Sequence, residues 1–480
     1  MISKETKKEI LNATRETLES SSIHAIPNIT KNKYRSIKFV WLICFLASSG
    51  VCAWFMYRSV TDYLNYDVVS QTDIRQATKL VFPVVTICNL NLIKTNDLND
   101  YFINLFGSEY PNIINEGVAK GLLKENSKKY LNQDVKLKDI ILKCQFETND
   151  CDLDSDFESY YDPNYGTCFR FNSGRNMNGT STPQKYASSF GIFFGLELEL
   201  FIGSIDQNNY LFSSENGFNI FISNQSYFNS NYNEGINIPA GFSSKISIQQ
   251  NVLIKQPKPY SYCTADISSI NSYDSEIFKI AFSKLNKTYF YYDCIFLCLQ
   301  KYFAQQCGCQ YFLFTIYYDY GLRTCAVNIS NTNKDYECLR KSWSNYSESK
   351  DILTDCDCPV ECERTYYTYS NSIAEFPTLK YSNYIRNYSQ FRLNYSNMTY
   401  EEMRKNVAKV NIFYDELKQT VLSESVKTEI SDLISNLGGL LGLFLGLSFL
   451  SLIEFVELIL QTFLIMFKDF NIKNNNKIQI

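Results

Sequence analysis

The sequence predicts a membrane protein with two spanning helices and a large, disulfide-rich α+β domain between them. Three observations carry this prediction. Two apolar stretches lie near the ends of the 480-residue chain, most of its 16 cysteines lie between them, and so do eight N-x-S/T triplets. Acidic and basic side chains nearly balance, at 50 and 46, and no long basic run indicates nucleic-acid binding.

The first apolar stretch, Ile37 to Tyr57, predicts a transmembrane helix. Its one charge, Lys38, lies at its edge. About twenty residues at about 1.5 Å each cross a hydrocarbon core of about 30 Å. A signal peptide does not fit, because about 36 mostly polar residues precede the stretch and no small-residue cleavage site follows it.

The second apolar stretch, Leu433 to Phe467, is longer than one span and is charged only at Glu454 and Glu457. It must therefore tilt, break or project from the membrane. Basic residues flank both stretches on their terminal sides: Lys31, Lys33, Arg35 and Lys38 before the first, and Lys468, Lys473 and Lys477 after the second. Since positive residues stay inside, both termini are expected in the cytoplasm.

This topology divides the chain into five parts. We expect a cytoplasmic segment at 1–36, a first span at 37–57, an extracellular cysteine-rich domain at 58–432, a second span at 433–467 and a cytoplasmic tail at 468–480. The alternative is a single anchor with the second stretch as a buried core helix.

The cysteines and the triplets fit an extracellular middle. Two cysteines, Cys44 and Cys52, lie in the first span, and the other fourteen lie between the spans, where an oxidising compartment allows up to seven disulfides. Zinc is the alternative for such closely spaced thiols. The triplets predict glycosylation at Asn178, Asn224, Asn286, Asn328, Asn345, Asn387, Asn394 and Asn397.

Local patterns predict the secondary structure of the middle domain. β-Branched and aromatic residues, partly alternating, predict strands at Val84–Leu90, Phe194–Ile202, Gly217–Ser223 and Ser244–Ile254. Helical spacing predicts a helix in Tyr289–Cys309, with Cys294 and Cys298 one turn apart. The segment Glu401–Leu422 also permits a helix.

The second span carries residues that lipid alone does not explain. Small residues such as Gly446 and Ser448 allow close helix packing, which is one explanation for them. Acids such as Glu454 and Glu457, which share one helical face, normally face protein or water. Several copies of this helix around an axis would make a pore with exposed carbonyls and rings of carboxylates, so the span predicts an oligomeric cation channel.

The chain resembles the degenerin/epithelial sodium channel family, which includes the acid-sensing channels. The segment LGGLLGLFLGLSFLSLIEFVELI, Leu437 to Ile459, is similar to the family's second span, and its G-x-S selectivity motif matches Gly446, Leu447 and Ser448. The segment LVFPVVTICNLN, Leu80 to Asn91, is similar to the stretch that follows the family's first span. The fourteen cysteines match the family in number and clustering, and the likeness covers nearly the whole chain.

The resemblance implies a trimeric, chalice-like channel that conducts sodium, with calcium left open, and is blocked by amiloride. It implies no cofactor and places the G-x-S motif at a helix break that forms the constriction. Ser435, followed by Asn436, falls where bulky substitutions hold related channels open. The implied disulfides are Cys88–Cys168, Cys144–Cys151, Cys263–Cys362, Cys294–Cys358, Cys298–Cys356, Cys307–Cys338 and Cys309–Cys325.

The resemblance also implies residues that take part in gating. Tyr66, just outside the first span, and Tyr260, three residues before Cys263, would couple the middle domain to the gate, or they simply pack in a Tyr-rich chain. The family's cytoplasmic His-Gly pair is His24-Ala25 here, and alanine lacks glycine's backbone freedom.

Direct gating by mild acid is not expected. Asp67 stands where acid-sensing relatives carry histidine, Arg340 and Asn411 replace their carboxylates, and Asn436 replaces an aspartate at the pore mouth. Overall the chain is most similar to the family's neuropeptide-gated branch, which is known from cnidarians. An RFamide-type peptide is cationic, and the acidic segment Cys151–Asp162 is a candidate surface for it, the alternative being a solvated loop.

Other functions remain as alternatives. Within the family, the chain is either self-sufficient or an accessory subunit of a heterotrimer, and proton gating is a further alternative. An ATP-gated two-span receptor would need clustered lysines, for which Lys284–Lys287 is a poor candidate. A two-span adhesion or scavenger receptor would need neither the G-x-S motif nor the acids. An enzyme is not expected, because the chain has one histidine, His24, and no recognisable catalytic arrangement.

Overall fold

The computed structural model describes residues 4–21, 23, 25–90, 136–162, 165–202, 215–225, 235–284, 289–311, 318–325, 329–348, 356–387 and 398–478. The chain forms two compact units. We call Met1–Val69 with Ser425–Ile480 the membrane unit, and Ser70–Glu424 the disulfide-rich domain.

The described part of the membrane unit is helical. Its helices are α1 (Lys4–Ser20), α2 (Ala25–Lys31) and α3 (Arg35–Leu64). Helix α3 contains the predicted first span and extends it at both ends, and it is long and apolar enough to cross a membrane. The second predicted span is a pair of helices, which we describe with the candidate site.

The elements of the disulfide-rich domain follow in chain order. They are β1 (Val68–Gln76, beginning in the membrane unit), β2 (Leu80–Val81), β3 (Val84–Asn89), α4 (Leu137–Ile140), β4 (Ile141–Phe146), β5 (Asn149–Asp150), β6 (Phe157–Asp162), β7 (Gly166–Phe171), β8 (Tyr186–Ala187), β9 (Leu196–Phe201), β10 (Gly217–Ser223), β11 (Ile236–Pro239), β12 (Phe242–Ile254), β13 (Cys263–Thr264), α5 (Glu276–Lys284), α6 (Tyr291–Cys307), α7 (Ile329–Glu348), β14 (Val360–Glu361), β15 (Glu363–Glu375), α8 (Leu379–Asn387), α9 (Tyr400–Asn406) and β16 (Val407–Val426).

Two larger sheets form the core of this domain. A seven-stranded sheet has the order β15-β12-β16-β9-β4-β5, with β1 also paired to β16, and a five-stranded sheet has the order β11-β10-β3-β7-β6. Fully buried side chains from both sheets, including Val85, Phe171, Leu198 and Ile412, make one apolar cluster. Burying this apolar surface is the main stabilising contribution to such a layered domain.

The patterns in the sequence located these strands well. Strands β3, β9, β10 and β12 lie at the four predicted positions, within two residues at either end. The predicted helix at Tyr289–Cys309 is α6, which begins at Tyr291 and ends at Cys307, where Gly308 takes the left-handed conformation. Glycine commonly ends helices in this way because it has no Cβ to clash.

The helix permitted at Glu401–Leu422 is wrong beyond its first turns. Helix α9 ends at Asn406 and the chain continues as strand β16. Strand β16 pairs with β12 on one side and β9 on the other, so its backbone hydrogen bonds are supplied by neighbours distant in sequence. The β-branched residues Val407, Val410 and Ile412 are buried there. Tertiary pairing therefore overrides a weak local helix preference.

Seven disulfides cross-link the domain, and the pairs are those that the family resemblance implies. They are Cys88–Cys168, Cys144–Cys151, Cys263–Cys362, Cys294–Cys358, Cys298–Cys356, Cys307–Cys338 and Cys309–Cys325. Five of them involve cysteines of the segment 294–362, and several of these cysteines lie in the apolar cluster that joins α5, α6 and α7. Cys44 and Cys52 are free thiols on α3.

Candidate functional site

The second span is broken at the G-x-S motif. Helix α10 (Ile430–Leu445) ends where Gly446 takes the left-handed conformation, with φ of 70°. Leu447 and Ser448 are not helical, and helix α11 (Phe449–Ile478) begins directly after them. Glycine at this position ends the helix at low cost, because any other residue pays a steric penalty for positive φ. The excess length of the apolar stretch is thus resolved by a break.

The hydrogen bonds at the break differ from those of a continuous helix. The Gly446 amide still donates to Gly442 O at 3.0 Å, but the Leu447 amide donates to Leu441 O at 3.2 Å. In an uninterrupted helix, Leu447 and Ser448 would donate to the carbonyls of Leu443 and Phe444. These two carbonyls are therefore released from the regular helical bonding pattern.

Ser448 begins helix α11 as its N-terminal cap. The Ser448 amide donates to Ser451 Oγ at 3.0 Å, and the Ser451 amide donates to Ser448 Oγ at 3.3 Å. This reciprocal pair resembles a capping box, in which two side chains satisfy each other's backbone amides. Ser448 Oγ and Ser451 Oγ also lie 3.3 Å apart. The non-helical conformation of the motif is thus held on both sides.

Helix α3 contacts α10 through polar groups as well as rings. Ser48 Oγ donates to Phe444 O at 3.0 Å, and Cys52 Sγ lies 3.7 Å from Leu440 O. The rings of Phe55 and Phe444 stack with centroids 5.9 Å apart. Small residues permit this close approach, as is usual between membrane helices. The contact places α3 against the last turns of α10, directly before the break.

The other predicted pore residues flank the break. Ser435 and Asn436 are exposed on α10 of the single chain, about two to three turns before Gly446. Glu454 and Glu457 lie on α11, one turn apart and after the break, and Gln461 Nε2 donates to Glu457 Oε1 at 3.1 Å. The structure thus distributes the predicted gate, filter and acids along one broken span in that order.

The residues predicted to act in gating lie in different parts of the described chain. Tyr66 follows α3 with a positive φ of 54°, and its ring lies 6.2 Å from that of Tyr63. Tyr260 belongs to the disulfide-rich domain, so its coupling to Tyr66 stays a prediction. Ala25 is buried at the start of α2, and His24 lies outside the described residues.

Asp67, which follows α3, is bonded to Lys427, which precedes α10, within the membrane unit. Its carboxylate lies 2.9 Å from Lys427 Nζ, and its carbonyl accepts from the Lys427 amide at 3.1 Å. The hydrogen bond to Asp67 raises the pKa of Lys427. This pair connects the segment after α3 to the segment before α10, so Asp67 has a structural partner in Lys427.

Arg340 and Asn411 are the two residues that the resemblance predicts in place of acid-sensing carboxylates. Arg340 is exposed on α7, and Asn411 is buried on β16. Glu197 lies directly opposite Asn411 on β9, and Glu199 lies two residues further along β9, opposite Lys409. Both acids are held by bases, which the sequence did not reveal because the bases come from strands distant in sequence.

Glu197 and Glu199 belong to a paired charge cluster. Glu197 Oε1 accepts from Lys143 Nζ at 2.6 Å and from Lys409 Nζ at 2.9 Å, and Lys409 lies 3.4 Å from Glu199. Tyr381 donates to Glu199 at 2.7 Å. Burial alone would raise the pKa of Glu197, but the hydrogen bonds from the two lysines outweigh it and hold that pKa below its usual range. Glu197 therefore does not titrate in mild acid.

A cleft of 630 Å³ lies beside this cluster. Its lining includes Lys138, Asp150, Asp152, Asp154, Tyr381 and Tyr384. Asp152 and Asp154 come from the acidic segment that the sequence suggested as a ligand surface. The amide of Asp154 donates to Asp152 Oδ1 at 3.0 Å, and this hydrogen bond lowers the pKa of Asp152. The rings of Tyr381 and Tyr384 stack with centroids 5.8 Å apart.

Three of the predicted glycosylation sites have described surroundings. Asn178 and Asn345 are exposed, and Asn224 is half-buried. Asn286, Asn328, Asn394 and Asn397 lie outside the described residues, as does the surface environment of Asn387. Part of the lysine segment Lys284–Lys287 also lies outside them.

Sequence reasoning missed the partners that hold the break. Ser451 follows Ser448 at the spacing of a capping box, so this signal was present in the sequence. Ser48 has no such signal, because its partner Phe444 is nearly 400 residues away and only the packing of α3 on α10 brings them together.

Comparison with known proteins defines the family. The family model described as "Amiloride-sensitive sodium channel" matches residues 17–458. The chain is 26% identical to the bile acid-sensitive ion channel of Rattus norvegicus, over 96% of this chain and 90% of that protein. It is 23% identical to the FMRFamide-activated amiloride-sensitive sodium channel of Cornu aspersum, over 92% of this chain and 81% of that protein.

A third relative shares a higher identity over a shorter region. The epithelial sodium channel subunit beta of Mus musculus is 31% identical over 67% of this chain and 47% of its own length. The chain belongs to the amiloride-sensitive sodium channel family, which is the degenerin/epithelial sodium channel family that the motifs indicated. It is therefore a membrane protein of an ion-channel family.

Proposed function

We propose that this chain is a subunit of a trimeric, amiloride-sensitive, sodium-permeable cation channel of the plasma membrane. Both termini lie in the cytoplasm and the disulfide-rich domain faces the outside. The observation that carries this proposal is the break at Gly446–Ser448, which releases backbone carbonyls in the middle of a membrane span. Irregular backbone at membrane depth is tolerated where it is buried in protein or lines a water-filled cavity.

The break supplies the chemistry of a selectivity filter. Carbonyl oxygens can replace the water around a partly dehydrated cation, and a narrow ring of them discriminates between ions. One helix cannot enclose a pore, so the function requires several copies around an axis, as closed symmetric oligomers provide. Three copies would bring together three released Leu443 carbonyls and three Ser448 hydroxyls, while the Phe444 carbonyl accepts from Ser48 of α3.

The acids of α11 fit the cytoplasmic side of the same pathway. Glu454 and Glu457 lie about two to three turns past Gly446 on a helix that is otherwise uncharged down to Phe467. An acid in a span is costly against lipid and is normally found facing water or protein. A ring of such carboxylates attracts cations and raises their concentration at the inner end of the filter.

The ligand that opens the channel is proposed to be an extracellular cationic peptide. The cleft beside Tyr381 and Tyr384 supports this, because it combines three aspartates, of which Asp154 is paired with Lys138, with two stacked aromatic rings. Carboxylates and aromatic faces both attract ammonium and guanidinium groups. One relative is named as activated by FMRFamide, a peptide that carries an arginine next to its amidated end.

A hydrogen bond and an ion pair connect the cleft to strand β16, which precedes α10 in sequence. Tyr381 donates to Glu199, and Glu199 contacts Lys409 of β16. Strand β16 ends at Val426, four residues before α10 begins at Ile430. A peptide seated against Tyr381 would therefore act on a strand that continues in sequence into the second span. Replacing Asp152 by asparagine is expected to weaken activation by such a peptide about tenfold. Asp266 is exposed and does not line the cleft, so Asp266→Asn is the control and is expected to leave activation unchanged.

Proton gating is not supported by the charge cluster. Glu197 is held ionised by two lysines, and the positions of Arg340 and Asn411 carry no acid. Paired carboxylates with raised pKa values are what a sensor of mild acid requires.

The test of the channel proposal avoids the unknown agonist. The chain is expressed alone in oocytes with Ser435→Trp, surface arrival is confirmed by glycan labelling, and whole-cell current is recorded with and without amiloride. A standing, amiloride-blocked cation current is expected. Surface protein without current, which then appears on co-expression with a related subunit, would show an accessory role. Surface protein without current in any combination would contradict the pore interpretation of Gly446–Ser448.

A further inference from the structure

The Phe444 carbonyl loses its helical partner at the break. In a continuous helix the Ser448 amide would donate to it, but that amide donates to Ser451 Oγ at 3.0 Å. A backbone carbonyl at membrane depth is costly when it has no hydrogen-bond donor. Phe444 is the last residue but one of α10. The direction of its carbonyl therefore influences the position of the Gly446–Ser448 backbone that follows.

Ser48 supplies the replacement donor from the other span. Its Oγ lies 3.0 Å from Phe444 O. One turn further along α3, Cys52 Sγ lies 3.7 Å from Leu440 O, one turn earlier on α10. The two contacts follow the same antiparallel register, so they describe a continuous helix–helix seam and not an isolated approach.

The neighbouring serine provides a contrast within the same turn. Ser49 Oγ donates to Phe45 O of its own helix at 2.7 Å. Serine and threonine in membrane helices commonly make this local bond back to the preceding turn. Ser48 instead directs its hydroxyl across the seam, to the carbonyl that the break leaves without its amide.

We propose that Ser48 is a positioning residue for the ion-selective break at Gly446–Ser448. It holds the Phe444 carbonyl against α3, fixes the end of α10, and thereby sets the geometry of the Gly446–Ser448 backbone that follows. The inference rests on the proposed channel function, since it assigns a residue of the first span to the selectivity of the second.

The test compares four channels in the Ser435→Trp background: no further change, Ser48→Ala, Ser48→Thr and Ser49→Ala. Bi-ionic reversal potentials give the sodium-to-potassium permeability ratio. Ser48→Ala is expected to lower this ratio about threefold, in line with the strength of hydrogen bonds between membrane helices. Ser48→Thr keeps a hydroxyl and is expected to restore the ratio, and Ser49→Ala is expected to leave it unchanged. A ratio in Ser48→Ala equal to that in Ser49→Ala would overturn the inference.

A second readout decides the case in which no variant conducts. Hydrogen exchange of the full chain in lipid nanodiscs reports the amides of Gly446–Ser451 without any current. Ser48→Ala is expected to speed their exchange about threefold relative to Ser49→Ala, because the end of α10 is released. Absent current in every subunit combination, together with this faster exchange, would refute the channel proposal and keep the role of Ser48 at the break. Equal exchange in the two variants would refute the role of Ser48 itself.

Discussion

Both apolar spans carry small polar residues in their middle, yet only one of them is broken. Ser48, Ser49 and Gly50 lie inside the continuous helix α3, whereas Gly446, Leu447 and Ser448 separate α10 from α11. The residue types are nearly the same. The difference therefore comes from how their backbone groups are bonded and not from composition.

The partners of the polar groups explain the two outcomes. Ser49 donates back to Phe45 O, and Gly50 keeps a helical conformation. In the second span Gly446 turns left-handed, and Ser448 and Ser451 cap each other at the start of a new helix. A membrane helix that contains glycine and serine breaks when a left-handed glycine is followed by a side-chain cap.

The largest effect is expected from replacing Gly446, with the glycine of the first span as the control. Gly446→Ala forces a side chain into the left-handed region at a cost of about 1–2 kcal/mol, which corresponds to about a tenfold change. The amiloride-blocked current per surface channel, or the sodium-to-potassium permeability ratio, is expected to fall by that factor. Gly50→Ala is the matched control, because no heavy atom lies within 4 Å of an added Cβ. An equal current and permeability ratio in Gly446→Ala and Gly50→Ala would show that the left-handed glycine does not distinguish the broken span from the continuous one.

The next effect is expected from the cap of α11. Ser451→Ala removes the acceptor of the Ser448 amide, and loss of such a cap costs about 1 kcal/mol, or about fivefold. We expect the permeability ratio to fall by about that factor. Thr462→Ala is the control, since Thr462 Oγ1 donates to Leu458 O within its own helix at 2.8 Å. A permeability ratio unaffected by Ser451→Ala would mean that the cap does not hold the motif.

A smaller effect is expected from the acids, which have no counterpart in the predicted first span. Replacing both Glu454 and Glu457 by glutamine removes the carboxylate rings while keeping side-chain shape. Single-channel sodium conductance is expected to fall about twofold, because fewer cations collect at the inner end of the filter. Unchanged conductance and selectivity would remove both acids from the permeation pathway.

The smallest effect is expected from mild acid. The folded-state pKa of Glu197 is depressed, so its contribution to stability is present above its unfolded pKa and is lost only as pH falls through the lower folded value. Lowering external pH from about 7.4 to about 6 is therefore expected to leave Glu197 ionised and to open no current. Lys409→Met should move the acid loss of stability toward higher pH, which melting curves across pH would detect. A transient inward current at pH 6 in the unmodified chain would contradict this account.

The sequence predicted the features that depend on local pattern or on the family's motifs. Both spans, the four named strands, helix α6 and the position of the break were accessible from periodicity, length and the G-x-S motif. The disulfide pairs followed from the resemblance and not from spacing. Strand β16 was missed because its partners, β12 and β9, lie far away in sequence and only the folded sheet supplies its hydrogen bonds.

The candidate site shows the same division. Gly446, Ser448 and the two acids could be named from one stretch of chain. Ser48, the two lysines on Glu197, and the tyrosines of the cleft could not, because each acts across elements that are 54 or more residues apart. Sequence patterns identify groups that share a segment, whereas packing decides which distant groups complete a site.

The central claim is that the broken segment Gly446–Ser448 lines the pore. Block by cadmium at position 448 tests this claim most directly. In the Ser435→Trp background, Ser448→Cys would place three thiols around the constriction, and soft thiolate ligands bind such ions tightly. Micromolar external Cd²⁺ is expected to block the sodium current of Ser448→Cys. The Ser49→Cys variant and the background channel, which contains the native Cys44 and Cys52, are expected to keep conducting. Persistent current in Ser448→Cys under Cd²⁺ would show that the broken segment does not line the pore.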